Sequence, residues 1–258
     1  MTLKERLSSL GLADVTVIEK DETTSTNTDC KKILSDDPNS PPVLMTAAVQ
    51  TGGRGRQGKQ FSSPRGGLYM TLTLRSETAF SHSVRMTAAA SVAVCRALRQ
   101  VCGLSCGIKW VNDIYVNNRK LCGILTEAVN DYTAGTTRQL IIGIGINLIE
   151  YPEGINATSV LRETGRYTDR DELCAAITRE LFDLFGQIKG GDFSYMEEYR
   201  RCSCVIGREV RLIRQTGDSF GKAVGIDDDG GLLVTFPDGR TETLTGGEIT
   251  LRFAEPEN

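Results

Sequence analysis

The chain carries the glycine- and arginine-rich stretch TGGRGRQGKQ at residues 51–60, separated from the apolar run 43–49 by Gln50 alone. Its glycines satisfy the dinucleotide-binding pattern GxGxxG, but in that fold a helix begins at once and points its N-terminus at the pyrophosphate. Here the residues FSSP and a second strand-like run at 68–74 follow instead. The stretch also fits GxxxxGK, yet Gln60 stands where a P-loop needs a magnesium-binding hydroxyl. Both nucleotide-binding folds are therefore excluded, and a strand, glycine loop, strand arrangement is predicted.

The same loop concentrates positive charge on Arg54, Arg56, Lys59 and Arg65. Glycines let backbone N–H groups approach an anion closely, and guanidinium groups bind carboxylate or phosphate bidentately. An anion-binding loop is one interpretation, and a solvated basic loop is the other. An RGG-like contact with nucleic acid is disfavoured, because the motif occurs once and no aromatic residues interleave with the arginines.

Hydrophobic periodicity on either side of the loop predicts a mixture of helices and strands. Apolar residues at spacings of three and four predict a buried helix over about 83–101 and another after Asp169, over 173–188. Short apolar or β-branched runs predict strands at 43–49, 68–74, 114–116, 121–125 and 140–146. The Asn117-Asn118 turn favours a hairpin. The expected fold is α+β, with a mixed, largely antiparallel sheet covered by helices.

Beyond about residue 201 the pattern changes to short strands separated by Gly-Asp turns. The predicted strands lie at 210–213, 220–226, 232–236, 241–244 and 249–253. Such spacing is typical of a small β-barrel. We place the boundary after a helical segment near 195–200, which predicts a larger domain at 1–201 and a small barrel at 202–258.

Composition limits the classes of protein to consider. The 258 residues are 40% hydrophobic and 24% charged with a net charge of -3, which excludes disorder and gives no global positive field for nucleic acid. The apolar runs are too short to span a bilayer, so no membrane contact is expected. Eight cysteines without a CxxC pair, and an N-terminus without a signal-peptide pattern, predict reduced thiols and a cytoplasmic location. The single histidine, His82, is expected at a helix end or on the surface rather than in catalysis.

Four motifs, in this order along the chain, resemble those of biotin protein ligases. They are TSTN at 24–27, Gln50 with the glycine loop at 53–58, KWVND at 109–113 with RKLCGIL at 119–125, and GIGIN at 143–147. The C-terminal segment adds GID at 225–227 and GGEI at 246–249. Each motif is weak alone, but four in register cover nearly the whole chain.

The resemblance implies a class II synthetase-like catalytic domain followed by an SH3-like C-terminal barrel. It implies that biotin and ATP react to biotinyl-5′-AMP with release of pyrophosphate, and that biotin then passes to a lysine of a biotin carboxyl carrier protein of a biotin-dependent carboxylase. The biotin carboxylate must approach the α-phosphate, so cations must offset the repulsion between two anions. Positioning and electrostatics can carry this chemistry without histidine.

The resemblance also implies roles for individual residues. Catalysis would fall to Lys109, Arg54 and Arg56. Biotin would be bound by Ser25, Thr26, Asn27, Gln50, Arg54, Gly55, Arg56 and Lys109. ATP or the adenylate would be bound by Arg54, Gly55, Arg56, Lys59, Phe61, Lys109, Asn112 and Asn147. Asp113 and Lys120 would make polar contacts or support the structure, and Mg²⁺ is expected with ATP, with ligands that the sequence does not identify.

Some of these residues have a second interpretation. Residues 25–27 also fit the start of a helix, where a Ser or Thr side chain caps free backbone N–H groups. Lys109 could be a surface charge at a strand end. Val111 stands where the family commonly has proline, and Phe61 stands near a position where many members have tryptophan.

Further expectations concern the loop and the partners. A glycine loop without apolar anchors should be mobile when empty and should close over the ligand, shielding the adenylate from water. Some relatives are also DNA-binding repressors, but only about 20 residues precede the first motif, so no sequence-specific DNA binding is expected. An exposed edge strand could pair two copies as a homodimer.

Two other functions compete with the ligase. A sensor that binds biotin or a nucleotide without turnover would keep the cavity but would not need the cations of the loop. A lipoate protein ligase shares the adenylate chemistry, but its pattern of a double arginine, a glycine triplet and His-Asp is absent from this sequence.

Overall fold

A computed structural model describes residues 1–76, 83–131, 136–213, 217–245 and 250–253 of the chain. His82 and the GGEI motif at 246–249 lie outside the described residues. Within them, no helix is long and apolar enough to cross a membrane.

The larger part of the chain folds around one seven-stranded sheet. The strands are β1 (Thr16–Thr23), β2 (Val43–Gln50), β3 (Leu68–Arg75), β4 (Gly107–Lys109), β5 (Asp113–Val116), β6 (Arg119–Asp131) and β7 (Thr136–Ile146). The helices are α1 (Leu3–Ser9), α2 (Thr26–Asp36), α3 (Ser83–Cys102), α4 (Val160–Thr164), α5 (Arg170–Lys189) and α6 (Tyr195–Cys202). The order in the sheet is β1-β2-β3-β7-β6-β5-β4, and of these pairs β1 with β2 is parallel while the rest are antiparallel. The predicted mixed, largely antiparallel sheet is confirmed.

Helices cover both faces of this sheet, because alternate residues of each strand point in opposite directions. On β2, Leu44 belongs to the main core beneath α3 and α5, whereas its neighbours Val43 and Met45 pack in a smaller cluster with Cys30 and Leu34 of α2. Helix α2 packs against β2, β3 and β7. The part of this face formed by β5 and β6 is therefore left for the functional site.

Local sequence signals fix several boundaries. Asp169 caps α5 by accepting hydrogen bonds from the backbone N–H groups of Asp171 and Glu172. Asn117 and Asn118 both have positive φ, 50° and 59°, which is the conformation a two-residue β-hairpin turn requires. The predicted helices lie within three residues of the bounds of α3, α5 and α6, and the hairpin turn is confirmed, whereas α1 and α4 were not predicted.

The C-terminal residues form a second, five-stranded antiparallel sheet. It contains β8 (Glu209–Ile213), β9 (Ser219–Ile226), β10 (Leu232–Thr235), β11 (Thr241–Leu244) and β12 (Thr250–Phe253), in the order β11-β10-β9-β8-β12. The five predicted strands are confirmed. The buried apolar core runs continuously from the first sheet into this one, and α6 ends at Cys202, so the division after residue 201 stays a prediction.

All eight cysteines are free thiols in this structure. Cys202 and Cys204 are partly exposed and the other six are buried.

Candidate active site

A cavity of about 310 Å³ opens on the sheet face that carries α2. Its walls come from the start of α2, the end of β2, the glycine loop, and strands β4 to β7. Eleven of the twelve predicted site residues line it: Ser25, Thr26, Asn27, Gln50, Arg54, Gly55, Arg56, Lys59, Phe61, Lys109 and Asn112. The fold therefore brings together segments that lie up to 87 positions apart in the chain, from Ser25 to Asn112.

The floor of the cavity is a network of buried polar side chains. The side-chain amide oxygen Oε1 of Gln50 accepts hydrogen bonds from the backbone N–H of Thr26 at 2.9 Å and from the Thr26 hydroxyl at 3.1 Å. Thr71 Oγ1 lies 2.7 Å from both Thr26 Oγ1 and Asn27 Oδ1. Ser25 occupies the N-cap position of α2 but makes no side-chain capping bond. The predicted helix start at residues 25–27 is therefore confirmed, whereas the Ser25 side chain forms no cap, and the first N–H group of the helix, that of Thr26, is bound by Gln50.

Glu127 holds the far side of Asn27. Its carboxylate accepts hydrogen bonds from Asn27 Nδ2 at 2.9 Å and from Lys31 Nζ at 2.6 Å. Burial acts to raise the pKa of the Glu127 carboxyl, but the bonds from Lys31 and Asn27 and the charges of Lys31 and Arg54 outweigh it, so the pKa is lowered. Glu127 is thus ionised at neutral pH.

Two glycines of the GIGIN motif make room above the sheet. A Cβ atom on Gly143 would lie 2.1 Å from Asn27 Oδ1, and one on Gly145 would lie 2.4 Å from Cε1 of the Phe61 ring. Both distances are far shorter than a van der Waals contact. Glycine is therefore required at 143 to seat Asn27 and at 145 to seat Phe61.

The opposite wall carries positive charge. Lys109, only 8% exposed, donates to the Tyr115 hydroxyl at 3.4 Å and lies 5.2 Å from the centre of that ring. Arg56 donates to Asn112 Oδ1 at 3.2 Å, and burial lowers the pKa of this guanidinium although Asp113 and Tyr199 act against it. The interpretation of Lys109 as a surface charge is wrong.

The glycine loop is closed on itself and tied to the sheet. The N–H of Gly55 donates to Lys59 O at 2.7 Å, and the N–H of Phe61 donates to Gly53 O at 2.9 Å. The Phe61 ring lies against Gly145 and packs edge-on against Tyr69 with 6.5 Å between ring centres. The expectation that the loop has no apolar anchor is wrong, because Phe61 supplies one. Arg65 pairs with Asp21 and does not line the cavity.

A second, largely apolar cavity of about 560 Å³ adjoins the first. The two share Gln50, Gln60, Phe61, Lys120 and Ile155 in their walls. Asn147, the twelfth predicted residue, lines this second cavity, and its Nδ2 donates to Thr158 O at 3.0 Å. Its predicted role in binding ATP or the adenylate stays a prediction.

Possible metal ligands are few. The described residues contain no group of three or more His, Cys, Asp or Glu side chains able to hold a metal ion. Among those that line the first cavity, Asp113 is the one carboxylate, and it pairs with Lys120 at 2.7 Å.

The C-terminal sheet contacts the site through Trp110, the residue after Lys109. Its indole N–H donates to Gly230 O at 2.8 Å, in the turn between β9 and β10. Arg85 holds the same turn by donating to Asp228 O at 2.7 Å. Within the turn, Asp227 Oδ1 accepts from the N–H groups of Asp229 and Gly231.

Sequence reasoning missed Thr71, Tyr115, Lys31 and Glu127. Thr71 and Glu127 enter only through strand register, since β3 and β6 both pair with β7 and place Thr71 and Leu125 beside Gly143. The "TE" that follows the RKLCGIL motif was the available signal for Glu127, since it places a charged residue directly after the apolar run 121–125.

The fold combines a mixed sheet with a small C-terminal sheet. Its cavity has hydrogen-bond acceptors on the floor and cations on the wall, which is the arrangement of a protein that binds an anionic small molecule. The Biotin/lipoate A/B protein ligase family model matches residues 19–147, and the Biotin protein ligase C terminal domain model matches residues 205–252. The chain therefore belongs to the biotin/lipoate A/B protein ligase family, and the resemblance seen in the motifs is confirmed.

Individual relatives agree with the family models. The bifunctional ligase/repressor BirA of Escherichia coli (strain K12) is 34% identical over 81% of this chain and 66% of its own length. The biotin--(acetyl-CoA-carboxylase) ligase of Mycobacterium tuberculosis is 28% identical over 88% of this chain and 86% of its own. The chain thus spans 66% of the Escherichia coli relative.

Solved structures show the same fold. The biotin protein ligase from Aquifex aeolicus in complex with biotin and ATP superimposes with a TM-score of 0.79 and 28% identity. The match covers 93% of this chain and 99% of that one.

Proposed function

We propose that the protein is an ATP-dependent biotin protein ligase. It joins biotin to ATP as biotinyl-5′-AMP, releases pyrophosphate, and transfers biotin to a lysine of a biotin carboxyl carrier protein. The observation that carries this proposal is the division of the first cavity into an acceptor-rich floor and a cationic wall.

The hydrogen-bonding groups of the floor support biotin rather than lipoate as the substrate. Thr71 has one hydroxyl proton to share between Thr26 Oγ1 and Asn27 Oδ1, so one of these two acceptors is always free to bind a ligand. The ureido ring of biotin offers two N–H donors, whereas the dithiolane ring of lipoate offers none. A buried acceptor left unpaired costs free energy, so such a floor favours biotin and disfavours the lipoate alternative.

The wall supports the adenylation chemistry. A ligand whose ring sits on the floor would extend its carboxylate toward Lys109 and Arg56, where the α-phosphate of ATP would meet it. Charge grows on the phosphate oxygens in the transition state, and buried cations stabilise it without reorganisation. A sensor without turnover would not require these cations.

We assign the second cavity to the nucleotide. It adjoins the wall at Phe61, whose ring offers an apolar face for an adenine, and Asn147 and Lys120 supply polar groups. Mg²⁺ binds ATP mainly through the phosphates and needs only one or two protein carboxylates. Asp113 fits that requirement, and the ion would neutralise phosphate charge there.

The carrier is expected to belong to a carboxylase, which the name of the Mycobacterium tuberculosis relative supports. The absence of sequence-specific DNA binding, the pairing of two copies and a cytoplasmic location stay predictions. A salt-dependent gel shift, light scattering after gel filtration and cell fractionation would test them.

The proposal is tested with a purified biotin carboxyl carrier domain, ATP, Mg²⁺ and biotin. Biotin should appear on the carrier by mass spectrometry, and Lys109→Ala should slow adenylate formation by about two to three orders of magnitude, the loss typical of one transition-state donor. Biotin binding without any adenylate or carrier product would support the sensor instead. An unchanged rate in Lys109→Ala would contradict the role of that lysine.

Partial proteolysis tests closure of the loop. Biotin with ATP should protect residues 54–65 from cleavage, because the part of the loop that precedes its Phe61 anchor would close over the adenylate. Equal cleavage with and without ligands would contradict closure.

A further inference from the structure

The orientation of the Asn27 amide decides what the cavity floor offers a ligand. With Oδ1 toward Thr71 and Gly143, the floor presents an acceptor, and with Nδ2 in that place it would present a donor. Thr71 does not fix the choice, because its hydroxyl can accept a hydrogen bond as readily as it donates one. Some other group must hold the amide in the observed orientation.

Glu127 is the group on the other side of the amide. An ionised carboxylate has acceptors and no donors, so it binds Nδ2 and repels Oδ1. The bond from Asn27 Nδ2 is 2.9 Å long, and the neighbouring Leu125 carbonyl, 3.5 Å from Nδ2, is likewise an acceptor. Glu127 does not itself line the cavity.

We propose that Glu127 is a positioning residue that determines specificity: it holds the Asn27 amide so that its oxygen faces the cavity and accepts an N–H of the ligand's ring. The inference rests on the proposed function, since it names what selects the ureido ring. Lys31 takes part in this positioning, because its Nζ donates to the other carboxylate oxygen of Glu127 at 2.6 Å.

The bond from Lys31 allows the positioning role of Glu127 to be tested by mutation. In Glu127→Gln the side chain has one acceptor and one donor group, while Lys31 has donors alone. The glutamine oxygen must then face Lys31, its NH₂ group must face Asn27, and the Asn27 amide must turn over to accept that bond. The cavity floor would then present Nδ2, a donor, to the N–H groups of biotin.

Removal of Lys31 should reverse this effect. In Lys31→Met/Glu127→Gln the methionine has no N–H group to donate to the glutamine oxygen. That oxygen can then accept from Asn27 Nδ2, which restores the original orientation of the Asn27 amide. Lys31 lies at the surface, with 41% of its side chain exposed, so methionine is tolerated there. Lys20→Met is the matched control. Lys20, in β1, pairs at 2.9 Å with Asp29 of α2, the helix that carries Lys31, and it does not line the cavity.

The experiment measures KM and kcat for biotin in biotin-dependent ATP–pyrophosphate exchange, with thermal melting of each variant. Glu127→Gln should raise KM by about tenfold or more, the loss of one buried hydrogen bond, and leave kcat within about threefold. The double variant should return KM to within about threefold of the original protein, and Lys20→Met should leave it unchanged.

Two results would overturn the inference: an unchanged KM in Glu127→Gln, or a double variant no better than Glu127→Gln. If Glu127→Gln is unstable, a double variant that folds and keeps the original KM still supports the inference, and one that folds with a raised KM contradicts it. Absence of exchange by the unaltered protein would instead contradict the proposed function.

Discussion

Gly143→Ala should weaken biotin binding and destabilise the fold together. The backbone at Gly143 is not left-handed, so alanine is acceptable there, and the effect comes from the added methyl group alone. That group would lie 2.1 Å from Asn27 Oδ1, 2.8 Å from Cγ and 2.9 Å from Nδ2. Contact distances begin near 3.5 Å, so the Asn27 amide must move by about 1 Å or more.

The magnitude follows from the bonds that this movement breaks. Asn27 would lose a bond to the charged Glu127, typically about 1.5–3 kcal/mol, and one with Thr71, about 1 kcal/mol. Partial relaxation would reduce the sum, so we expect a loss of about 2 kcal/mol in the free energy of unfolding. The biotin dissociation constant should rise about tenfold or more as the acceptor leaves the floor.

The assay combines urea unfolding with calorimetric titration of biotin. Gly186→Ala is the matched control, because Gly186 lies within α5 and a Cβ there meets nothing within 4 Å. It should stabilise the protein by about 0.5–1 kcal/mol and leave biotin affinity unchanged. Biotin affinity and an unfolding midpoint in Gly143→Ala equal to those of the original protein would refute the packing argument.

Three further predictions concern other parts of the molecule. Asp227→Ala should lower the free energy of unfolding by about 2 kcal/mol, because two N–H groups of the turn lose their acceptor. The fluorescence of Trp110, the single tryptophan, should also shift, since its indole N–H bonds to Gly230 in this turn. An unaltered emission spectrum would count against the contact between Trp110 and the turn. A thiol reagent should modify Cys202 and Cys204 of the native protein before the six buried cysteines, as peptide mapping would reveal, and early labelling of a buried thiol would contradict the packing. The pKa of Glu127 is lower in the folded protein than its usual value of 4.5, so the ionised carboxylate stabilises the fold at pH values above 4.5. This stabilisation is lost as the pH falls through the folded-state pKa. Acid should therefore destabilise Glu127→Gln less than the original protein.

Local patterns predicted most of the secondary structure. Ala88, Val92, Cys95 and Leu98 recur at helical spacing and all are buried in α3, because one face of that helix packs on the sheet. Asn117 predicted the hairpin, because asparagine tolerates the left-handed backbone of that turn. The helical spacing and the turn residue both depend only on residues that are close together in the chain, so both can be read from the sequence.

Strand order and register could not be predicted in this way. Strand β7 lies between β3 and β6, and this pairing alone brings Thr71 and Glu127 to the site. Pairing partners are chosen by packing across the whole sheet, which no local pattern records. The anchoring of Phe61 was missed for the same reason, since its slot is formed by Gly145 from a distant strand.

Biotin-dependent exchange between ATP and pyrophosphate, with lipoate measured in parallel, tests the central claim most directly. It requires no knowledge of the carrier and depends on the floor and the wall of the first cavity together. We expect exchange with biotin and none with lipoate. Exchange with lipoate in place of biotin would contradict the assignment of the acceptor floor, and binding of biotin without exchange would contradict the ligase itself.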